Sequence, residues 1–263
     1  MPRLFRALFR RPVPFALALL ALSLPALAAA APSPLPWRDA RQLVLVLTPD
    51  WDATTGTLQL FEMRDGRWRE VNAPLEIAVG RSGSAWGAGL HPAQPGGPHK
   101  REGDGRAPAG VFVIGEAFGY AAQAATRMPY RPMQASHYCI DVPASPLYNR
   151  IVDTREVGEA AAAGSTEPMR LDLHNDGDPR YRLGLVIGHN ERAEAGAGSC
   201  IFAHLWRKPG EATAGCTAMA PASMDALLAW LQPQARPVLV LLPRAEHVRL
   251  AHEWALPGAE PAR

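Results

Sequence analysis

Residues 181–206 read YRLGLVIGHNERAEAGAGSCIFAHLW, two apolar runs joined by a polar loop that contains glycine. The runs Tyr181 to Ile187 and Ser199 to Ala203 are each flanked by turn residues, and each has the length of a short β-strand. Short strands separated by turn-rich segments are typical of a mainly β domain. This segment therefore predicts a fold built from short strands rather than from long helices.

The same pattern continues towards both ends of the chain. Gln42 to Thr48 and Thr57 to Glu62 read as a hairpin, and the tight-turn pair Asp65-Gly66 follows them. Because more strands are expected after that turn, the first third of the chain is predicted to be a meander. The further strands that we expect are Arg67 to Val71, Leu75 to Val79, Gly110 to Ile114, Tyr138 to Val142 and Val238 to Leu242.

Only one segment has clear helical periodicity. Within Ser223 to Leu231, apolar side chains recur at i, i+3, i+4 and i+7, and Pro233 ends the pattern. A short helix is also expected within the alanine-rich stretch Glu156 to Ala163, where glycines limit its length. The last twenty residues predict a surface tail. No repeat or internal linker divides the chain after Trp37, so one mainly β domain is the simplest organisation.

The first 28 residues have the features of a secretory signal peptide. Four arginines precede or adjoin the apolar run Phe15 to Leu24, and Ala26 and Ala28 are small residues suited to a cleavage site. The run is short for a membrane span, and an uncleaved anchor is the alternative. We therefore expect a signal peptide (1–28), a linker (29–36), a domain (37–245) and a C-terminal tail (246–263).

The charge balance gives no reason to expect nucleic acid as a partner. The chain has 27 Lys and Arg against 25 Asp and Glu, and the signal segment holds four arginines and no acid. The mature chain thus keeps 23 basic groups against 25 acidic ones and is close to neutral. We expect a protein exported to the periplasm or cell envelope, with no stable membrane insertion once the signal is cleaved.

Cys216 and His204 have the residue types and spacing of a nucleophile and its base. The cysteine follows the histidine by twelve residues, after a loop that can return the chain beside the strand carrying the histidine. A cysteine thiol needs a neighbouring imidazole to take its proton at neutral pH. Gly215 allows a sharp backbone turn, and the N–H of Cys216 is a candidate oxyanion-hole donor. Spacing alone leaves open that both are packing residues.

The stretch Thr213-Ala-Gly-Cys216, with a histidine upstream, resembles the signature of the L,D-transpeptidase family, also called the YkuD domain. The segments Lys100 to Gly110 and Ser145 to Asn149 look like further parts of that family, so the resemblance covers roughly residues 40–245. It implies a mainly β fold, a sandwich or barrel-like mixed sheet with one packed C-terminal helix.

The resemblance implies acyl transfer on peptidoglycan stem peptides without a metal or an organic cofactor. Cys216 attacks the carbonyl of the third stem residue, usually a diamino acid, and the terminal D-alanine leaves. His204 serves as base for the thiol and as acid for the leaving amine. An amine then resolves the thioester, from another stem peptide, an outer-membrane lipoprotein lysine or a free D-amino acid. If water resolves it, the enzyme is an L,D-carboxypeptidase.

Two departures from the family pattern concern the choice of acceptor. Ala214 stands where many members have histidine, and Thr217-Ala218 follows the cysteine where many members have an arginine nearby. The spacing from histidine to cysteine is also shorter than in the better-known members. The substrate contacts made by that stretch therefore do not carry over to this chain.

Several residues are candidates for contacting the substrate, and each has a structural alternative. For His189 and Asn190 the alternative is a capped turn, and for Trp206 it is a place in the core. Lys100 and Arg106 either contact carboxylates of the stem peptide or belong to a solvated turn. The predicted substrate contacts are Thr213, Ala214, His189, Asn190 and Trp206.

The resemblance also leads to a prediction for the other two cysteines. If Cys216 must stay free as the nucleophile, Cys139 and Cys200 are left to pair, in a compartment where disulfides persist. The alternative is two buried thiols.

The sequence offers two other classes of function. A zinc hydrolase of cell-wall peptides would use His137, Asp141, His174 or His189, but no His-Glu-x-x-His helix occurs. A peptidoglycan-binding module that has lost catalysis is the third possibility, and the intact Gly215-Cys216 and His204 argue against it.

Overall fold

The computed structural model describes residues 35–258, which form fourteen strands and four α-helices. The strands are β1 (Gln42–Thr48), β2 (Thr55–Arg64), β3 (Arg67–Glu70), β4 (Leu75–Ala78), β5 (Ser84–Trp86), β6 (Ala107–Gly119), β7 (Tyr130–Pro132), β8 (His137–Cys139), β9 (Ile151–Asp153), β10 (Glu167–Pro168), β11 (Leu183–Ile187), β12 (Phe202–Leu205), β13 (Thr217–Met219) and β14 (Val238–Pro243). The helices are α1 (Thr154–Val157), α2 (Leu171–His174), α3 (Pro221–Trp230) and α4 (Arg244–Leu250). The predicted mainly β class is confirmed.

Eight strands close into a barrel. Their order is β1-β14-β6-β11-β12-β13-β4-β2, and β2 pairs back onto β1. Strand β14 lies parallel to β1, with Leu43 opposite Val238, and antiparallel to β6. Because every barrel strand has a partner on both sides, the backbone hydrogen bonds of the barrel wall are satisfied without a free edge.

The predicted hairpin of β1 and β2 is confirmed, but the prediction of a simple meander is wrong. Strand β4 does not pair with β3. Strand β2 has ten residues, so β3 and β4 can both pair along the same edge of it. Strand β4 pairs with Thr55–Leu58, and β3 pairs with Phe61–Arg64. The turn at Asp65-Gly66 forms as expected, with both residues at positive φ.

Strand β12 separates two apolar cores. Its side chains alternate, so that Ala203 and Leu205 enter the barrel core while Phe202 points into a second core outside the barrel wall. Helix α3 packs Met224, Leu227 and other apolar side chains onto the barrel core. The second core contains Phe118, Met133, Cys139, Met169, Leu171, Tyr181, Cys200, Phe202 and Cys216.

Residues 120–182 connect β6 to β11, and we call them the excursion. Strand β7 in their first part pairs with β6, and the later part covers the second core. The excursion contains a three-stranded sheet of order β10-β8-β9. The strand predicted at Tyr138 to Val142 is shorter in the structure, where β8 covers His137–Cys139. Gly158, at φ +89°, divides the predicted helix at Glu156 to Ala163 into α1 and a short 3₁₀ turn.

The C-terminal region is more ordered than the sequence predicted. Helix α3 forms as expected, beginning at Pro221, but the expectation of a surface tail over 246–263 is wrong for the residues described. Helix α4 continues from β14, and Trp254 is completely buried with its ring edge against Trp37. Two C-terminal helices therefore pack on the sheet rather than one.

The predicted signal peptide lies outside the described residues, as does most of the linker. Among residues 35–258, no helix combines the length and the hydrophobicity needed to cross a membrane.

Candidate active site

Cys216 lies in the wall of a cavity of about 510 Å³ between the barrel and the excursion. It immediately precedes β13, so the start of that strand fixes its backbone. The excursion supplies the opposite wall, including Asp141, Thr166 and Glu167, and the loop before β6 supplies Lys100. Ala214 and Gly215 line the same cavity. The predicted cysteine motif thus forms one side of a half-open cavity large enough for a peptide segment.

The motif is held in a tight turn by Thr213. Its hydroxyl donates to the Cys216 carbonyl at 2.7 Å and accepts from the Gly215 N–H at 3.0 Å. Gly215 has φ +154°, and a Cβ at this position would lie 2.9 Å from the carbonyl oxygen of Arg106. Only glycine fits this turn without strain. Since Thr213 occupies the Gly215 amide, the Cys216 N–H remains the candidate donor to an oxyanion, and Thr213 itself holds the turn rather than lining the cavity.

The Cys216 thiol is almost entirely buried, with 7% of the residue exposed. Its Sγ accepts a hydrogen bond from the Phe202 N–H at 3.3 Å and lies 3.6 Å from the carbonyl oxygen of Cys200. Burial raises the pKa of this thiol to about 12, and the negative charge of Glu167 adds to the rise. The resting group is therefore the protonated thiol, which needs a base in order to act as a nucleophile.

His204 lies on the same face of the sheet as Cys216. It is two residues beyond Phe202 on β12, and the parallel register places it opposite Ala218, two residues beyond the cysteine. Its ring packs edge-on against Tyr181, 5.2 Å between centroids. Among the hydrogen bonds of residues 35–258, none joins the imidazole directly to the thiol.

The tautomer of His204 suits a general base. Its Nδ1 lies 2.8 Å from the Leu205 carbonyl oxygen, which can only accept, so Nδ1 carries the proton and Nε2 keeps its lone pair. Burial lowers the pKa of this imidazole to about 4. Base and nucleophile are thus both neutral at rest.

Cys139 and Cys200 form a disulfide, and Cys216 is the free cysteine of the chain. The hypothesis that these two cysteines pair is confirmed. The bridge joins β8 of the excursion to the loop before β12, at the residue whose carbonyl faces the Cys216 thiol. It therefore ties the two walls of the cavity together.

His189 and Asn190 lie away from the cavity and have structural contacts. The His189 ring is buried against Phe112, with Nε2 3.0 Å from the Ala197 carbonyl oxygen. The Asn190 side chain bonds the Gly198 carbonyl and the Glu194 backbone. Of the two interpretations offered by the sequence, a capped turn is the one that matches their positions.

The structure also separates Trp206 and Arg106 from the cavity. Trp206 lines a different cleft beside Arg244, and Arg106 bonds Asp52 and backbone carbonyls, including that of Ser84. Lys100 does line the cavity, but its ammonium group is paired with Asp104 at 2.5 Å.

Two residues that the sequence did not single out lie near Cys216. Tyr181 is buried between the His204 and Phe202 rings, and its hydroxyl donates to Glu167 at 2.5 Å. For Tyr181 the sequence did contain a signal, an aromatic residue at the start of segment 181–206. Glu167 sits in a turn-rich stretch without periodicity, so only the three-dimensional arrangement brings it to the cavity.

The residues of the zinc alternative are not brought together. His137 accepts a backbone hydrogen bond from Gln134, and His174 bonds the Ala135 carbonyl. Within residues 35–258, no three His, Cys, Asp or Glu side chains are grouped as metal ligands would be.

Comparison of the chain with protein-family models, with curated proteins and with solved structures gave no match.

Proposed function

We propose that this protein is an exported cysteine acyltransferase that acts on peptidoglycan stem peptides, with the activity and the fold type of an L,D-transpeptidase. The observation that carries the proposal is the free Cys216, held by the Thr213-Ala-Gly-Cys turn in the wall of a peptide-sized cavity. Nucleophilic catalysis requires a thiol that the substrate can reach and a base close to it. Cys216 supplies the thiol, and His204, on the same sheet face, is the candidate base.

The first half-reaction forms a thioester. As the Cys216 Sγ attacks the carbonyl carbon of the third stem residue, the thiol proton passes to Nε2 of His204, and the peptide oxygen takes up negative charge. The Cys216 N–H stabilises that charge. The tetrahedral adduct then collapses, the bond to the terminal D-alanine breaks, and the imidazolium protonates the departing amine. Because no hydrogen bond joins the two groups among residues 35–258, this step requires the imidazole and the thiol to approach each other in the substrate complex.

The second half-reaction transfers the acyl group. Neutral His204 takes a proton from the incoming amine as its nitrogen attacks the thioester carbonyl, and the Cys216 thiolate leaves and is reprotonated. The acceptor is an amine of a second stem peptide, a lipoprotein lysine or a D-amino acid; water as the acceptor gives L,D-carboxypeptidase activity from the same intermediate.

The disulfide supports the proposed location. Structural disulfides persist in the periplasm and outside the cell, and they are rare where thiols are kept reduced. The Cys139–Cys200 bridge therefore agrees with export through the signal segment inferred from the sequence.

Incubation of the purified protein, lacking residues 1–28, with a disaccharide tetrapeptide tests the proposal. We expect mass spectrometry to show loss of D-alanine and a thioester adduct on Cys216. Dimers or exchanged termini identify transfer, and tripeptide alone identifies hydrolysis. The C216S variant serves as the control, and undiminished turnover by that variant would refute the proposal.

A further inference from the structure

Glu167 connects the two candidate catalytic groups. It lines the cavity together with Cys216, and its Oε1 accepts a hydrogen bond from the Tyr181 hydroxyl at 2.5 Å. The Tyr181 ring in turn packs against His204. Among residues 35–258, no hydrogen-bond donor pairs with the second oxygen of this carboxyl, Oε2, in a side chain that lines the cavity.

The charged groups around Glu167 do not supply it with a partner. The pKa of the Glu167 carboxyl is raised to about 7, and burial is the largest cause. The negative charges of Asp141 and Glu102, which line the same cavity, also raise it. Arg180 opposes the rise, but its guanidinium pairs with Asp178 at 2.7 Å.

The two cations that line the cavity leave Glu167 unpaired as well. Lys100 is paired with Asp104, as described above. Arg81 lies on the exposed rim. The cavity therefore presents a carboxyl group that lacks a cation from the protein.

The charge of Glu167 also acts on the nucleophile. Ionised Glu167 raises the pKa of Cys216, whereas Lys100 and Arg180 lower it. Formation of the thiolate during attack is consequently harder while Glu167 stays negative and unpaired. A positive group placed beside Glu167 would offset its negative charge and so make the thiolate of Cys216 easier to form.

We propose that Glu167 binds an ammonium group of the acyl donor and that this contact eases the ionisation of Cys216 during attack. The inference rests on the proposed function, since a diamino acid at the third stem position carries a side-chain amine close to the carbonyl that the cysteine attacks. Glu167 would then select donors with a free amine and would couple their binding to activation of the nucleophile.

A binding experiment tests the recognition step without requiring turnover. Calorimetry on the C216A protein compares a tetrapeptide that has diaminopimelate at its third position with the same peptide acetylated on that side-chain amine. We expect the free amine to bind on the order of tenfold more tightly, as a charge-assisted hydrogen bond provides. The preference should disappear with C216A/E167Q and return in part with C216A/E167D.

Glu156 provides a matched control, because it is an exposed acid on α1 outside the cavity. C216A/E156Q removes the same charge and should keep the preference. A preference that survives E167Q, or its absence from the C216A protein, overturns the inference.

Alkylation of the thiol tests the electrostatic step in the free protein. At pH 8 we expect iodoacetamide to modify Cys216 about three to ten times faster in E167Q than in the unaltered protein, with E156Q unchanged. Equal rates in all three proteins overturn the coupling to Cys216.

The outcomes separate this inference from the proposed function. An amine preference of C216A that is lost in C216A/E167Q, without turnover by the unaltered protein, supports recognition by Glu167 and contradicts the acyltransferase proposal. Turnover of both peptides at equal efficiency, with no difference in binding, supports the acyltransferase proposal and contradicts the inference.

Discussion

At the scale of single residues, the neutral state of both candidate catalytic groups determines how the site responds to pH. The pKa of Cys216 is raised to about 12 and that of His204 is lowered to about 4, so an ion pair is not the resting state. Cysteine enzymes that store a thiolate–imidazolium pair react quickly with alkylators at neutral pH. This site should not, because in the proposed mechanism the proton moves only when the substrate carbonyl is attacked.

The raised thiol pKa gives a prediction about alkylation. Below the pKa of Cys216, the thiolate fraction grows tenfold with each pH unit. The logarithm of the iodoacetamide rate constant should therefore rise with unit slope between pH 8 and pH 10, where Glu167, with a pKa of about 7, is already ionised. Mass spectrometry of samples quenched at set times measures this rate constant, with free cysteine as the reference. A plateau near pH 7 would show that the thiol ionises easily and would contradict the neutral pair.

The role given to His204 leads to a second prediction. H204Q should lower kcat by about 100-fold or more, since general-base assistance is lost while the cavity keeps its shape. The matched control is H174Q, because His174 is exposed on the excursion. Alkylation at pH 10 should remain unchanged in H204Q, where hydroxide forms the thiolate. Equal kcat in H204Q and the unaltered protein would assign the imidazole to packing.

The sequence predicted the turn that holds Cys216, and the return of the chain beside the strand of His204, better than it predicted their surroundings. Cys216 and Gly215 belong to a local turn, and local turns are encoded in consecutive residues. His189 and Trp206 were expected near the substrate because of their sequence proximity, but the strand directions send them elsewhere. Glu167 reaches the cavity through the excursion, a long-range arrangement for which consecutive residues contain no signal.

At the scale of elements, the disulfide joins the excursion to the barrel. It closes a segment with a sequence separation of 61 residues and holds Cys200 where its carbonyl faces the thiol. The amide of Cys200 also donates to the Asn149 side chain at 2.8 Å. Position and backbone direction at Cys200 are thus fixed from two sides.

Reduction of this bridge should destabilise the protein. We expect the free energy of unfolding to fall by about 2–5 kcal/mol, the range for native disulfides, when urea unfolding is repeated with a reductant. The C216A variant should lose the same amount, because its bridge is intact. A larger effect of the reductant on the unaltered protein than on C216A would indicate that Cys216 takes part in disulfide exchange.

Helix α4 and the turn after it form the other element that stabilises the domain. Trp254 packs against Trp37, accepts a hydrogen bond on its carbonyl oxygen from the Trp37 indole at 3.1 Å, and lies in the barrel core. W254A should therefore lower the free energy of unfolding by about 3–5 kcal/mol. Denaturant unfolding measures the loss, and E253A, at an exposed neighbour, should stay within about 0.5 kcal/mol of the unaltered protein.

At the scale of the whole molecule, strand positions were predicted well and strand partners poorly. Alternation and apolar runs mark β1, β2 and β14 in the sequence, because each strand has its own hydrophobic pattern. Pairing depends on which distant strands meet, and the sharing of one β2 edge by β3 and β4 follows from strand length rather than composition. The tail was mispredicted because Leu250, Trp254 and Leu256 are too widely spaced to form a recognisable run.

The closure of the barrel has a consequence for how the protein is made. Strand β14 fills the gap between β1 and β6, although it is encoded near the end of the chain. A polypeptide that emerges from a ribosome or a secretion channel with its N-terminus first must keep two strand edges unpaired until residues 238–243 appear. Long-range pairing of this kind is slow, and exposed edges invite association with other chains. We therefore expect the nascent protein to depend on chaperones until almost its last strand has been delivered.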